Sequence, residues 1–423
     1  MRNLCLSLTI GALGAGCLIA ADWPAWRGPN QNGSVEIDSA PSKFAGDKGV
    51  LWKAELPGRA CSTPIVAKER IFVSAPIDGK DGLVAFDMQG KELWRTSLGK
   101  IRPGRGQRVG SSANSSPVTD GESVFAYFKS GELAAFDFEG KLLWKTNLFE
   151  RFGEDKLWWD VGTSPVLAGG RVVVSVMQTD GNSYMVSFDK KSGEVAWKVD
   201  REFDTAKESG DSYTTPLVLD LDGKETIVNW GADHLTGHAA DDGSLLWTCG
   251  GFNPEKVGMW RVIASAVATD GIAVVPYARG GQLAGVKLGG SGDITDSAFL
   301  WKKKDLGTDA ASPAAHDGKV YLLTDSGKDR GQITCLDAKS GDVLWESKLP
   351  KGAQIYYSSP VLAGNVLYCV REDGVLFAAK VTDEGLEDIV EVETGQSVIA
   401  SPVVLDGKLL IRGDRSLICY GNP

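Results

Sequence analysis

A Ser/Thr-Pro dipeptide, two short apolar runs, an Asp, a Gly and then a Trp recur in that order, and the chain approaches this unit eight times. The clearest copies run from Ser116-Pro117 to Asp137, Gly140 and Trp144, and from Ser312-Pro313 to Asp337, Gly341 and Trp345. Others start at Thr63-Pro64, Ser164-Pro165, Thr215-Pro216, Ser359-Pro360 and Ser401-Pro402, and a degenerate copy reads Ser265-Ala266. Successive starts lie about 42 to 53 residues apart, the period of propeller blades. Such an array decides the fold and moves the question of function to the loops between copies.

Residues 115–148 define the unit. Three turn signals, Asp120-Gly121, Ser130-Gly131 and Glu139-Gly140, cut it into four short runs rich in β-branched and aromatic residues. Four antiparallel strands follow. Pro117 stands at a strand's first position, where no ladder N–H is needed. Asp137 can accept from nearby backbone N–H groups at a turn, and Gly140 supplies the turn backbone. Trp144 falls on the fourth strand, large enough to fill the gap between stacked sheets. Trp94, Trp197, Trp247, Trp301 and Trp345 hold the same docking position in other copies, with Val390 in the seventh.

The eighth copy, 401–420, has only three strands. Val50–Leu56 carries Trp52 in the same local context, so the first strand completes the last blade and removes an open edge. The expected fold is all-β: an eight-bladed β-propeller of four-stranded antiparallel blades, closed by an N-terminal strand. It spans 50–423, behind a leader of residues 22–49.

Residues 1–21 differ in kind. Arg2 precedes an uncharged apolar run from Leu4 to Ala21, followed by Asp22-Trp23-Pro24. This is the pattern of a secretory signal cleaved after Ala21. An uncleaved anchor and acylation at Cys17 are the alternatives, and membrane attachment is expected only through them. Either way the protein is expected to be exported to the periplasm or beyond, as a monomer. The net charge of −10 disfavours nucleic acid as a partner. Beyond the signal, Cys61, Cys249, Cys335, Cys369 and Cys419 make an odd count, so at least one thiol is free. Cys335, Cys369 and Cys419 read as small buried hydrophobes on strands.

Connectivity places the fourth-to-first crossover loops and the second-to-third hairpins on one face, around the channel mouth. The crossovers carry unusual residues for turns. Arg59, Arg102, Arg105, Arg108 and Arg261 bring positive charge to an acidic protein. Trp158, Trp159, Tyr213, Trp260, Tyr356 and Tyr357 bring flat surfaces. Guanidinium groups beside aromatic faces suit sugars, planar acids or peptides; the plain alternative is that the aromatics plug the channel. His234, His238 and His316 read as hairpin residues. Asp220-Leu221-Asp222-Gly223 lacks the later ligands of a calcium loop and reads as a turn. No nucleophile elbow, P-loop or dinucleotide fingerprint occurs.

The turn before the docking Trp, Asp189-Lys-Lys-Ser192-Gly193 before Trp197 and Asp337-Ala-Lys-Ser340-Gly341 before Trp345, resembles the tryptophan-docking repeat of pyrroloquinoline-quinone-type propellers. Asp22-Trp23-Pro24-Ala25-Trp26-Arg27-Gly28-Pro29 looks like the leading segment of exported proteins of that superfamily. The resemblance covers about residues 22–423. It implies one of two roles: a dehydrogenase that oxidises alcohols or sugars with the quinone and calcium, or a non-catalytic exported propeller such as the lipoprotein scaffold of the outer-membrane protein insertion machinery. The adjacent Cys-Cys pair of the alcohol dehydrogenases is missing, and no catalytic carboxylate maps onto a matching motif.

Three functions therefore stand, in order. The first is a non-enzymatic scaffold for a protein or peptide, held at the crossover face or by strand addition at blade edges. The second is a carbohydrate binder at the channel mouth. The third is a quinone-dependent dehydrogenase using pyrroloquinoline quinone and calcium.

Overall fold

The computed structural model describes residues 22–44, 49–104 and 110–422. The chain forms eight antiparallel blades arranged in a ring. Blade 1 runs Ile65–Ala67, Arg70–Ile77, Lys80–Asp87 and Glu92–Lys100, from the channel outward. Six more blades follow with the same order, their innermost strands starting at Val118, Val166, Leu217, Val267, Ala314 and Val361. Blade 8 takes Val403–Leu405, Lys408–Arg412 and Ser416–Gly421 from the end of the chain and Val50–Glu55 from the beginning. In that last pairing Trp52 stands opposite Cys419 and Glu55 opposite Ser416. The propeller is thus closed by its N-terminal strand. Two single-turn helices, α1 (Leu148–Phe152) and α2 (Thr295–Ala298), lie in connections.

The repeated dipeptide makes the seam of the ring. Thr63 N–H donates to Ser116 Oγ at 2.8 Å, Ser116 N–H to Ser164 Oγ at 3.0 Å, and Ser164 N–H to Thr215 Oγ1 at 2.9 Å. Thr215, Ser265 and Ser312 pass the same bond on to Ser265, Ser312 and Ser359 at 2.9–3.0 Å. Each hydroxyl therefore satisfies a buried N–H of the neighbouring blade, which water cannot reach. Arg412 adds a second tie between blades 8 and 1, donating to Ser62 O at 2.7 Å and Ser74 O at 2.9 Å. Burial among carbonyls lowers this guanidinium to about 10.

Five tryptophans each dock one blade on the next. The indole N–H of Trp52 donates to Met88 O, Trp94 to Phe138 O, Trp144 to Lys190 O, Trp197 to Ala240 O and Trp301 to Ala338 O, at 2.7–3.3 Å. In each case the acceptor follows the turn's first residue, and the ring lies flat over the turn's glycine. A Cβ at Gly140, whose φ is 84°, would stand 2.5 Å from the Trp94 ring, so this turn needs glycine. Trp247 meets no such turn, because the third-to-fourth connection of blade 5 is rebuilt as the short strand Gly292–Asp293 and α2. That strand adds to blade 4 in parallel, Trp247 opposite Gly292. Trp345 is buried against Tyr321.

The leader enters the channel from the side of the first-to-second strand turns. Trp23 exchanges backbone bonds with Val66 at 2.8 Å in both directions. The chain then receives Thr119 N–H at Pro24 O, Ala315 N–H at Asn32 O and Leu362 N–H at Gly33 O, while Gln31 clasps Val218. Ser34–Val35 pairs in parallel with the inner strand of blade 7. Arg27 donates to Pro360 O at 2.8 Å and Pro313 O at 2.5 Å. Gly33 is required here, since a Cβ would stand 1.9 Å from the Arg27 guanidinium.

Candidate functional site

The plug makes the channel blind on one side, so its open end is the crossover face. When the eight copies are aligned on their proline position, the third residue before it is Cys61, Asn114, Gly162, Tyr213, Ile263, Ala310, Tyr357 and Ile399. All eight line one funnel of about 270 Å³. The next inward-facing position, two residues on, is the hydroxyl ring, and Thr63, Ser116, Ser164, Ser312, Ser359 and Ser401 line a deeper chamber of about 110 Å³ with Trp26 of the leader among them. The alternation follows from extended backbone, in which every second side chain faces the same way. The funnel wall is mainly apolar and carries no charge at this position.

The crossovers on one side of the mouth form a wall. Asp211, fully buried, accepts from Trp158 N–H at 3.0 Å and from Thr179 N–H and Oγ1 at 2.8 and 3.0 Å. Tyr213 accepts the Trp159 N–H at 3.0 Å through its hydroxyl, whose ionisation burial opposes. Tyr213 N–H donates to Val262 O, Val262 N–H to Asp211 O, and Ser209 Oγ to Val257 O, binding the next crossover to this one. The wall therefore holds its lip in a fixed position. Trp158 is 57% exposed and Trp159 39%, with Met259 at 50% on the adjacent crossover.

The predicted rim residues do not all reach the funnel. Trp159, Tyr213, Arg261 and Tyr357 line the funnel; Trp158 and Arg59 are exposed beside it. Trp260 is half-buried against Tyr277, and Tyr356 is buried within the blade 6–7 core against Phe377. Tyr356 and Tyr357 are consecutive, so extended backbone turns one to the core and the other to the channel. Arg102 pairs with Asp155 and lies over Phe149. Arg105 and Arg108 lie outside the described residues, as does the signal.

Among the described residues, two cations near the mouth are committed to carboxylates. Arg261 makes a two-pronged bond to Asp309 at 3.1 and 3.2 Å, and Lys129 forms a buried ion pair with Asp160. Asp325 gathers the crossover of blade 6, accepting from Thr308 Oγ1 and three backbone N–H groups at 2.6–3.2 Å; burial raises its pKa. Cys61 is half-buried in the funnel wall, and burial pushes the thiol up despite nearby Arg412 and Arg59.

The histidines lie elsewhere. His238 sits inside the third strand of blade 4, bonded to Gly243 O and Thr236 Oγ1, and burial lowers it to about 4. His234 begins the same strand and stacks on Phe203 at 3.8 Å. Both lie on a strand of the blade 4 hairpin, as expected of a hairpin, but not in its turn. Gly223 N–H donates to Asp220 Oδ1 at 2.7 Å in the turn of blade 4. The leader plug and the channel-lining position were missed from sequence. Alignment of the copies on proline reveals the second; nothing repeated announces the first.

No curated protein matches the chain. The fold is that of a BamB from Moraxella catarrhalis, with a TM-score of 0.59, 16% identity and coverage of 88% of this chain and 99% of that one. It is also similar in architecture to a quinohemoprotein alcohol dehydrogenase from Comamonas testosteroni, with a TM-score of 0.67, 15% identity and coverage of 95% and 80%. A europium-containing methanol dehydrogenase gives a TM-score of 0.64 at 13% identity, covering 94% and 90%. At the level of sequence, the family profile described as outer membrane protein assembly factor BamB matches residues 44–180, 79–247, 162–298 and 291–398. The chain therefore belongs to this family of pyrroloquinoline-quinone-type propeller repeats.

Proposed function

We propose that the protein is an exported, non-enzymatic propeller that holds a protein or peptide partner at its crossover-loop face. The observation that carries this reading is the blind, largely apolar funnel with Trp158, Trp159 and Met259 exposed along one buttressed lip. Exposed aromatic side chains on a rigid support are what a partner's apolar side chains bury against. Membership of a family described by an assembly factor agrees with a protein partner. Export rests on residues 1–21; among the described residues no helix is long and apolar enough to cross a membrane.

The quinone-dependent reading is the less favoured one. A planar tricarboxylate is met by free cations, and of those at the funnel Arg261 and Lys129 are each committed to a carboxylate, which leaves Arg59 exposed beside it. Among the described residues no three His, Cys, Asp or Glu side chains are placed to hold an ion.

The test uses the protein purified after export. Titration with pyrroloquinoline quinone and calcium is expected to give no quinone absorbance and no dye-linked oxidation of alcohol or glucose. Replacing Trp158 and Trp159 together by Ala is expected to abolish partner capture at unchanged melting temperature. Quinone-dependent oxidation, or capture unaffected by the double replacement, would overturn the reading.

A further inference from the structure

The outermost strand of each blade ends its sheet and leaves a row of unpaired backbone groups. One residue past the docking position, most blades place a cation: Lys53 in blade 8, Arg95 in blade 1, Lys145 in blade 2, Lys198 in blade 3 and Lys302 in blade 5. All five are exposed. Edge lysines of this kind discourage another strand from pairing, because pairing would strip water from the charge. Three blades depart from the rule, with Thr248, Glu346 and Glu391.

At Thr248 the consequence is visible within the molecule. Gly292–Asp293 adds to that edge as a fifth strand, Thr248 opposite Asp293, and Ile294 N–H donates to Thr248 O at 2.8 Å. The unguarded edge is the one that accepts a strand. Blade 7, with Glu391, is blunted by another device: Asp388 interrupts its outer strand in the left-handed region, with φ 48°.

Blade 6 has no cation at this position and no added strand, and its edge lysine, Lys348, lies 3.7 Å from Asp329. Its outer strand, Val343–Lys348, has no left-handed residue and ends its sheet. Val343 and Leu344 are 46% and 45% exposed. Glu346 receives Gln332 Nε2 at 2.7 Å and forms no ion pair among the described residues. We propose that this edge takes an extended segment of a partner protein as an added strand, the segment carrying a Lys or Arg beside Glu346 and apolar residues beside Val343 and Leu344. The surface is separate from the crossover face and does not depend on it.

The probe is an end-capped octapeptide of Val and Thr with a single central Lys, titrated against the protein purified after export, with backbone amide exchange read segment by segment. The peptide is expected to protect residues 343–348. Opposite charges across a strand pair favour pairing and like charges oppose it, so Glu346→Lys is expected to weaken the peptide about tenfold or more. Glu346→Gln, which keeps a partner for Gln332, is expected to weaken it less. Glu202→Lys, an equal charge change at an exposed site on another blade, is expected to leave it unchanged. Protection elsewhere, no protection at all, or equal weakening by Glu346→Lys and Glu202→Lys would overturn the proposal.

Discussion

The backbone N–H of Ser401 donates to the Thr63 hydroxyl at 3.1 Å, joining the last blade to the first across 338 residues of sequence. The same bond links blades 1 to 7 in succession, so these repeated dipeptides each serve a neighbour. A hydroxyl at this position is a requirement of ring closure, independent of any ligand.

Thr63→Val keeps the shape of the side chain and removes the acceptor. The buried Ser401 N–H then has no partner, and stability is expected to fall by about 1–3 kcal/mol, with Thr63→Ser close to neutral. Urea unfolding at constant slope checks this.

Trp52 lies on the strand that completes blade 8 and bonds to Met88 O in blade 1 at 2.9 Å. Since it is half-buried, Trp52→Ala is expected to cost about 2 kcal/mol of packing and hydrogen bonding. Deleting residues 50–56 removes the strand itself and leaves the edge of Ser416–Gly421 bare, so light scattering should report aggregation. A soluble monomeric deletion with unchanged melting would contradict closure by this strand.

Arg27 is buried, donates to two carbonyl oxygens and lies over the Trp26 ring, and burial lowers it to about 9. Arg27→Ala is expected to unseat the leader while leaving the blades folded. Limited proteolysis should then cut within 22–44 in the variant and spare the wild type.

Asp81 lies fully buried, accepting from Ser130 Oγ at 2.5 Å, with Oδ1 unpartnered among the described residues. Burial raises it to about 7, and nearby Glu132 adds to the effect. An acid raised in the folded state is stabilising below its unfolded value near 3.9, and that contribution is lost as pH rises toward 7, by up to about 4 kcal/mol. Asp81→Asn should therefore flatten the stability profile between pH 4 and 7, gaining most on wild type at the upper end.

The fold was legible because each copy carries its own turn and docking residues, so local signals repeat what the global architecture demands. Even the strand that closes blade 8 carries its own Trp. The leader was illegible for the opposite reason: Arg27 meets Pro313 and Pro360 at separations of 286 and 333 residues, once only. Trp247 resembles the other docking residues in its own copy, yet its fate depends on the altered turn of the next blade. At the rim, charge and aromaticity drew attention to Tyr356 and Arg102, whereas the channel is lined by a fixed position that includes Ile263, Ala310 and Ile399. Which side of an extended loop faces the channel turns on a single residue of register.

The most direct measurement places a photo-activated cross-linker at position 158 on the lip, and at position 222 in a turn on the opposite face, in cells that export the protein. A discrete protein adduct from 158 and none from 222 is expected. Equal adducts from both positions, or none from 158, would contradict a partner site at the crossover face.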